Sequence, residues 1–162
     1  MTNMNLDKKL VKEVEIETDI ESLWQKFTTK QGLISFFAPA VNFQFEIGGS
    51  FEMLFDLKMP VGLQGSEDCK ILSFLPQKMI SFSWNNPPKF ERIRDEKTWV
   101  VVEFQEIDTK KVLLTLTHLG WKDEPTWQGA FEYFDNAWDI VLKRMEYSII
   151  TGPVDWENPY YG

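Results

Sequence analysis

The sequence holds 162 residues, with 13 Phe, 7 Trp and 4 Tyr making it 15% aromatic, one Cys, one His and a formal net charge of −8. A chain of this length is one domain by size, too rich in large rings for disorder, and with Cys69 as its lone thiol it is no disulfide scaffold. Its 17 basic residues stand against 25 acidic ones without forming a basic stripe, which excludes nucleic acid as a natural partner because phosphate backbones reward clustered Lys and Arg.

No stretch approaches the roughly 20 apolar residues that a membrane span needs, and a single thiol suits a reducing compartment, so a cytoplasmic protein is expected. One His and one Cys cannot furnish the usual zinc ligand sets, and no GxGxxG, P-loop or GxSxG string is present. No metal or cofactor is expected.

Residues 9–17 (KLVKEVEIE) alternate, with Val14 and Ile16 on one face and Glu13, Glu15 and Glu17 on the other, the period of a half-buried strand. Thr18 and Asp19 offer N-cap oxygens to a short helix that carries Ile20, Leu23, Trp24 and Phe27 on one side. A second short helix is expected over Lys30 to Phe37, stopped by the Ala38-Pro39 step.

From Val41 to Leu119 the pattern is β. It runs VNFQFEI, the Gly48-Gly49 turn, SFEMLFDLKM, a loop from Pro60 to Gly65, DCKILSFLP, MISFSW, the polar loop from Asn85 to Lys97, WVVVEFQEI, a turn from Asp108 to Lys111, and VLLTLTHL. Six strands in succession predict an antiparallel meander.

Asp123, Glu124 and Pro125 open a closing helix and Gly152-Pro153 ends it. Its length is about 26 residues, near 40 Å. Trp127, Phe131, Phe134, Trp138, Val141, Met145 and Ile149 recur at three and four, one inward stripe. The tail VDWENPYYG has three rings and no period. The whole of residues 1–162 reads as one domain, with its core over about 10–151 and the tail over 152–162.

Strand, two short helices, six further strands and a long helix define an α+β layout in which only the last helix can cover the sheet. The order resembles the helix-grip fold of the START-like (SRPBCC) superfamily. The local strings resemble its branch named for the activator of heat-shock protein 90 ATPase: VEIETDIESLW, the turn Gly48-Gly49-Ser50-Phe51, ILSFLP followed by ISFSW, LTLTHLGW from Leu114 to Trp121, and FDNAWDIVLKRM. Together they span roughly Val11 to Ile150. The resemblance implies a curved seven-stranded antiparallel sheet around the last helix, with a hydrophobic cavity between them that the superfamily uses for lipids, polyketides and other apolar molecules. Chaperone activation is not carried over, because the eukaryotic co-chaperone has an additional N-terminal domain for which these residues leave no room.

Strand alternation assigns the candidate lining. Leu114, Leu116 and His118 share one face; Val100, Val102 and Phe104, then Phe51, Met53 and Phe55, then Ile80, Phe82 and Trp84 form the facing sets. With Phe131, Phe134, Trp138 and Met145 of the helix, the ligand-binding candidates are His118, Trp84, Phe82, Met53, Phe55, Val102, Phe104, Leu116, Phe131, Phe134, Trp138 and Met145. Met and aromatic groups suit such a lining because they offer large area with few rotamers to immobilise, and they suit a plain core equally.

His118 is read either as a general base or ligand partner in the cavity, or as a buried His satisfied by a backbone carbonyl. Cys69 is expected to be a small core hydrophobe rather than a partner of His118. Glu52 and Asp56 are expected on a solvated face. Arg92 and Arg94 are expected to balance Glu91, Asp95 and Glu96 in a solvated loop, the alternative being a clamp on a ligand carboxylate.

Three functions follow. The first is non-catalytic binding of an apolar or aromatic small molecule. The second is a cyclase, dehydratase or hydrolase that uses His118. The third is a protein-interaction module, contacting a chaperone or forming a homodimer through an outer sheet face with Trp99 and Val101 exposed.

Overall fold

A computed structural model describes residues 3–161. The first strand, β1 (Leu10–Ile16), leads into α1 (Ile20–Thr28) and α2 (Lys30–Phe36). Each helix is capped by a side chain: an Asp19 carboxylate oxygen accepts the Ser22 N–H at 2.8 Å, and Thr29 Oγ1 accepts the Gly32 N–H at 2.9 Å. These caps satisfy backbone donors that a helix start would otherwise leave orphaned.

The meander follows as β2 (Ala40–Phe43), β3 (Phe51–Leu54), β4 (Ile71–Leu75), β5 (Met79–Trp84), β6 (Thr98–Asp108) and β7 (Lys111–Leu119), and α3 (Pro125–Ile150) closes the fold. Five strands pair antiparallel in the order β1-β7-β6-β5-β4, while β2 and β3 form a separate hairpin. The expected single sheet of seven is therefore built in two hydrogen-bonded parts. Backbone bonds stitch them: Gly48 N–H to Ile71 O at 2.8 Å, Ile71 N–H to Gly49 O at 2.9 Å, and Phe51 N–H to Cys69 O at 2.9 Å. Gly48, with φ +79°, supplies the left-handed turn that lets the hairpin swing round to meet β4.

β2 and β3 are shorter than their apolar runs suggest. After Leu54 the chain turns away, with the N–H groups of Phe55 and Asp56 both donating to Gln64 O at 2.9 and 3.0 Å. The loop that results closes on Glu67, whose carboxylate accepts the backbone N–H groups of Gly62, Gln64 and Gly65. Burial opposes that charge, but the three N–H donors outweigh it and hold the Glu67 pKa below the ordinary carboxylate value.

The alternation read from the sequence faces the core as expected. Val100 opposes His118 and Val102 opposes Leu116 in the β6–β7 register. All four, with Phe51, Met53, Ile80 and Phe82, are essentially inaccessible to solvent. Helix α3 lays Trp127, Phe134, Trp138, Val141 and Met145 against this surface. Phe131 departs from the stripe: it is half-buried at the helix's first turns, edge-on to Trp121 at 5.0 Å with the Lys8 ammonium over its ring at 4.8 Å.

The tail folds back onto α2 and α3. Val154 N–H donates to Ser35 O at 2.9 Å, Trp156 Nε1–H donates to Ile34 O at 2.7 Å, and Tyr160 stacks on Tyr147 at 4.6 Å. Phe90, the lone ring of the Asn85 to Lys97 loop, lies against Gly129, where a Cβ would stand 3.1 Å from the Phe90 ring. The rings of the loop and the tail thus cover the outside of α3.

Candidate functional site

His118, the only histidine, is fully buried and tied at both ring nitrogens. Trp138 Nε1 lies 3.0 Å from His118 Nδ1, and Thr98 Oγ1 lies 2.7 Å from His118 Nε2. Indole N–H only donates, so Nδ1 must accept, and the proton of the neutral ring sits on Nε2. The Thr98 hydroxyl takes that proton's bond and passes its own to Trp84 O at 3.2 Å. Trp121 Nε1–H completes the group by donating to His118 O at 2.8 Å. Burial pushes the His118 pKa down to about 3.

This corrects the reading of His118 as a cavity acid or base. Neither nitrogen is free, and the ring packs between Trp121 at 4.4 Å and Phe134 at 5.1 Å. The plainer expectation of a buried, satisfied histidine holds, with side chains rather than a carbonyl as its partners. Cys69 is also inert in this sense: it is inaccessible, and burial pushes its thiol up to about 12.

The interior between sheet and helix is packed with rings. Phe51 stacks on Phe82 at 4.0 Å, and Trp84 lies 5.3 Å from Trp138. Phe82, Met53, Val102, Phe104, Leu116 and Met145 all belong to this core, so these candidates support the site from behind and do not line an opening. Phe104 packs against Trp24 and Phe27 at 5.4 and 5.5 Å.

The space opens at the rim. A recess of about 340 Å³ lies where α3, the end of β5 and the folded-back tail meet; Phe37, Phe55, Trp84, Phe134, Trp138 and Arg144 are among its walls. A second recess of about 340 Å³ adjoins it, sharing Phe55, Trp84, Tyr133 and Phe134 and continuing toward Leu63, Pro88 and Lys89. Four of the sequence candidates therefore come together here: Phe55, Trp84, Phe134 and Trp138. Phe55 stands beyond the end of β3 and is 41% exposed, so it forms a lip of the groove rather than part of a concave sheet face.

Tyr133, Ala137, Ile140 and Arg144 also border the first recess, outside the stripe that the sequence pattern assigns to α3. They recur at four, three and four along α3, a second stripe beside the first. The spacing is visible in the sequence, but the stripe mixes an aromatic, a methyl group, an aliphatic and a cation, so it carries no clear apolar period. Phe37 and the tail residues Trp156, Pro159 and Tyr161 were not accessible to pattern reasoning, since only the fold brings them to the helix.

Arg94 does not balance a solvated loop. It is 7% exposed, and its guanidinium donates to Asn86 O, to Gly62 O at 2.9 Å and to Gly65 O at 2.8 Å, with Glu67 Oε1 at 3.3 Å. Its role is to lock the 55–69 loop to the rim. Arg92 pairs with Glu124 at the surface. Glu52 is half-buried and accepts from Asn42 Nδ2 and Asp68 N–H, whereas Asp56 is exposed as expected. Trp99 and Val101 are half-buried rather than exposed.

A curved antiparallel surface closed over one long C-terminal helix, with its opening at the helix rim, defines a helix-grip protein of the START-like class. The family model described as activator of Hsp90 ATPase homolog 1-like protein matches residues 17–148, and the chain belongs to that family.

Among solved structures it is similar to protein MLL2253 from Mesorhizobium loti, at 19% identity and a TM-score of 0.71 over 88% of this chain and 96% of that one. It is similar to the Aha1 dimer from Colwellia psychrerythraea, at 16% identity and a TM-score of 0.67 over 90% and 98%. DynU16, a putative protein in the dynemicin biosynthetic locus, matches at 14% identity and a TM-score of 0.67 over 90% of this chain but only 48% of its own. At these identities the likeness is one of fold. No curated protein matches the sequence. Among the described residues no helix is long and apolar enough to cross a membrane.

Proposed function

We propose that this protein binds an apolar or aromatic small molecule in the rim groove, with Trp84, Trp138 and Phe134 as the floor and Phe55 as the lip. The observation that carries this reading is the contrast between a ring-filled interior and an open recess of about 340 Å³ walled by aromatic and aliphatic side chains. That volume lies at the small end of the range for ligand pockets, which suits a ligand of one or two rings. The biosynthetic locus of DynU16 supports the reading as an analogy of fold.

The test is a panel of aromatic and medium-chain alkyl compounds, followed by tryptophan emission and thermal shift. Compounds that bind wild type should fail to bind Ala137→Phe, which fills the groove from the half-exposed face of α3 without entering the core. Absence of any binder, or binding that is unchanged in Ala137→Phe, overturns the assignment.

One observation favours a second reading, assembly with another protein. The loop beyond β3 leaves Leu57 54% and Val61 92% exposed, more apolar surface than a short loop needs. The Colwellia relative is a dimer. Sedimentation of wild type and of Val61→Asp at several concentrations tests it, and a monomer throughout removes the homodimer.

A further inference from the structure

Among the described residues, Arg144 is the one cation in the wall of the first recess. It projects from α3 into the space under the tail, and its surroundings fix it. Its Nε–H donates to Tyr160 O at 2.8 Å, and its guanidinium carbon lies 5.4 Å from the Trp156 ring centroid and 4.6 Å from that of Tyr161. A guanidinium held against ring faces keeps its charge and loses its rotamer freedom.

What it lacks is an anion. Among the described residues Arg144 enters no ion pair, whereas Lys12, Arg94, Lys97 and Lys122 do and the half-buried Lys8 and Lys26 donate to neutral side chains, Gln128 and Ser35. Its terminal nitrogens donate to no described residue, so the N–H groups that make the planar fork remain unused beside an apolar recess. Such a fork matches a carboxylate in bidentate geometry. In a protein of net charge −8, an anion would be repelled from most of the surface, and a fixed local cation decides where it could be held.

We infer that the rim groove takes a carboxylate-bearing aromatic or alkyl molecule, its apolar body over Trp84, Trp138 and Phe134 and its carboxylate on the terminal nitrogens of Arg144. This deepens the reading of the groove as a ligand site and rests on it. The tail rings gain a purpose as well: Trp156 and Tyr161 hold the guanidinium in register with the groove instead of leaving it to swing into solvent.

The test is calorimetric titration with naphthoate, indole acetate and octanoate, each beside its own neutral carboxamide, on wild type, Arg144→Gln and Arg144→Lys. The expected result is a preference of about tenfold for the acids in wild type, since one charge-assisted bond separates acid from amide. The ratio of acid to amide affinity should fall to about one in Arg144→Gln, whatever the amide affinity of that variant, and Arg144→Lys should keep only part of the preference.

Because Arg144→Gln also removes an anchor of the tail, the wild-type comparison at low and high salt stands independently of any variant. The acid preference should shrink with salt, and the amide affinity should not. Equal affinities of acids and amides for wild type overturn the carboxylate assignment and leave the groove as a neutral-ligand site. A preference that survives in Arg144→Gln overturns the role of Arg144. Failure of every acid and amide to bind overturns both this inference and the groove reading.

Discussion

Trp138 donates its indole N–H to Nδ1 of His118 across 3.0 Å, joining the middle of α3 to the last strand of the sheet through a buried neutral imidazole. The bond fixes which nitrogen of His118 carries the proton. It also fixes the rotation of the indole whose ring forms part of the groove floor. A relay from α3 through β7 and β6 to the carbonyl of Trp84 on β5 therefore sets the position of both floor tryptophans.

Trp138→Phe deletes the donor and shrinks a buried bicyclic ring to a single one, so an unpartnered acceptor adds to a cavity cost. His118 Nδ1 would then be a buried acceptor without a partner, which costs about 1–3 kcal/mol. Chemical denaturation should show a lower midpoint with an unchanged slope. A variant as stable as wild type would mean that the bond contributes nothing.

The pH dependence of stability has a defined sign. Burial holds the folded His118 pKa near 3, against an ordinary value of 6.5. Between these limits the unfolded chain holds a proton that the folded one refuses, so stability falls as pH drops below about 6.5, by about 1 kcal/mol per pH unit. Above 6.5 both states are neutral and His118 contributes no slope. Asp19, stabilised by bonds from Ser22, and Glu67 also have lowered pKa values, but their losses begin only near the ordinary carboxylate values of 3.8 and 4.5. The interval from about pH 6.5 to 5 thus isolates the histidine. Denaturation midpoints across it should decline in wild type and stay level in His118→Asn; parallel declines in the two proteins would remove His118 as the cause.

Two arginines two residues apart should behave oppositely. Arg94→Met strands the carbonyls of Gly62, Gly65 and Asn86 and removes the partner of Glu67. A cost of roughly 3 kcal/mol is expected for breaking a buried, hydrogen-bonded charge. Arg92→Ala breaks only an exposed pair with Glu124 and should cost about 0–1 kcal/mol. Thermal unfolding of the two variants side by side decides it, and equal losses would contradict the burial of Arg94.

Cys69 should resist alkylation in the native state, because the thiol is inaccessible and its pKa is pushed up to about 12. A maleimide reagent at neutral pH should label it only after denaturation. Rapid labelling of folded protein would show that the edge of β4 opens readily.

Much of the fold was legible locally. The alternation of β6 and β7, the cap at Asp19 and the 26-residue span of α3 all follow from nearest-neighbour chemistry. The strand lengths of β2 and β3 were not, because Glu67, far along the chain, draws the loop back by accepting three backbone N–H groups. Arg94 misled for the same reason: it sits in a polar stretch, and its partners lie about 30 residues away in sequence. The groove was half legible, since Trp84, Phe55, Phe134 and Trp138 carried the strand and helix periods and Arg144 carried only the fainter second stripe.

By itself, the sequence determined the class of fold, the inward faces of β6 and β7, most of the inward stripe of α3 and the family resemblance, because side-chain periodicity is a local property of backbone geometry. Only the tertiary structure decided what the inward rings do. Whether an aromatic face encloses space or fills it depends on the distance between elements that are far apart in the chain, and here the stacking of Phe51 on Phe82 and of Trp84 beside Trp138 fills the interior. The opening moved to the rim, where the unpatterned tail returns to α3 and brings Trp156 and Tyr161 against Arg144.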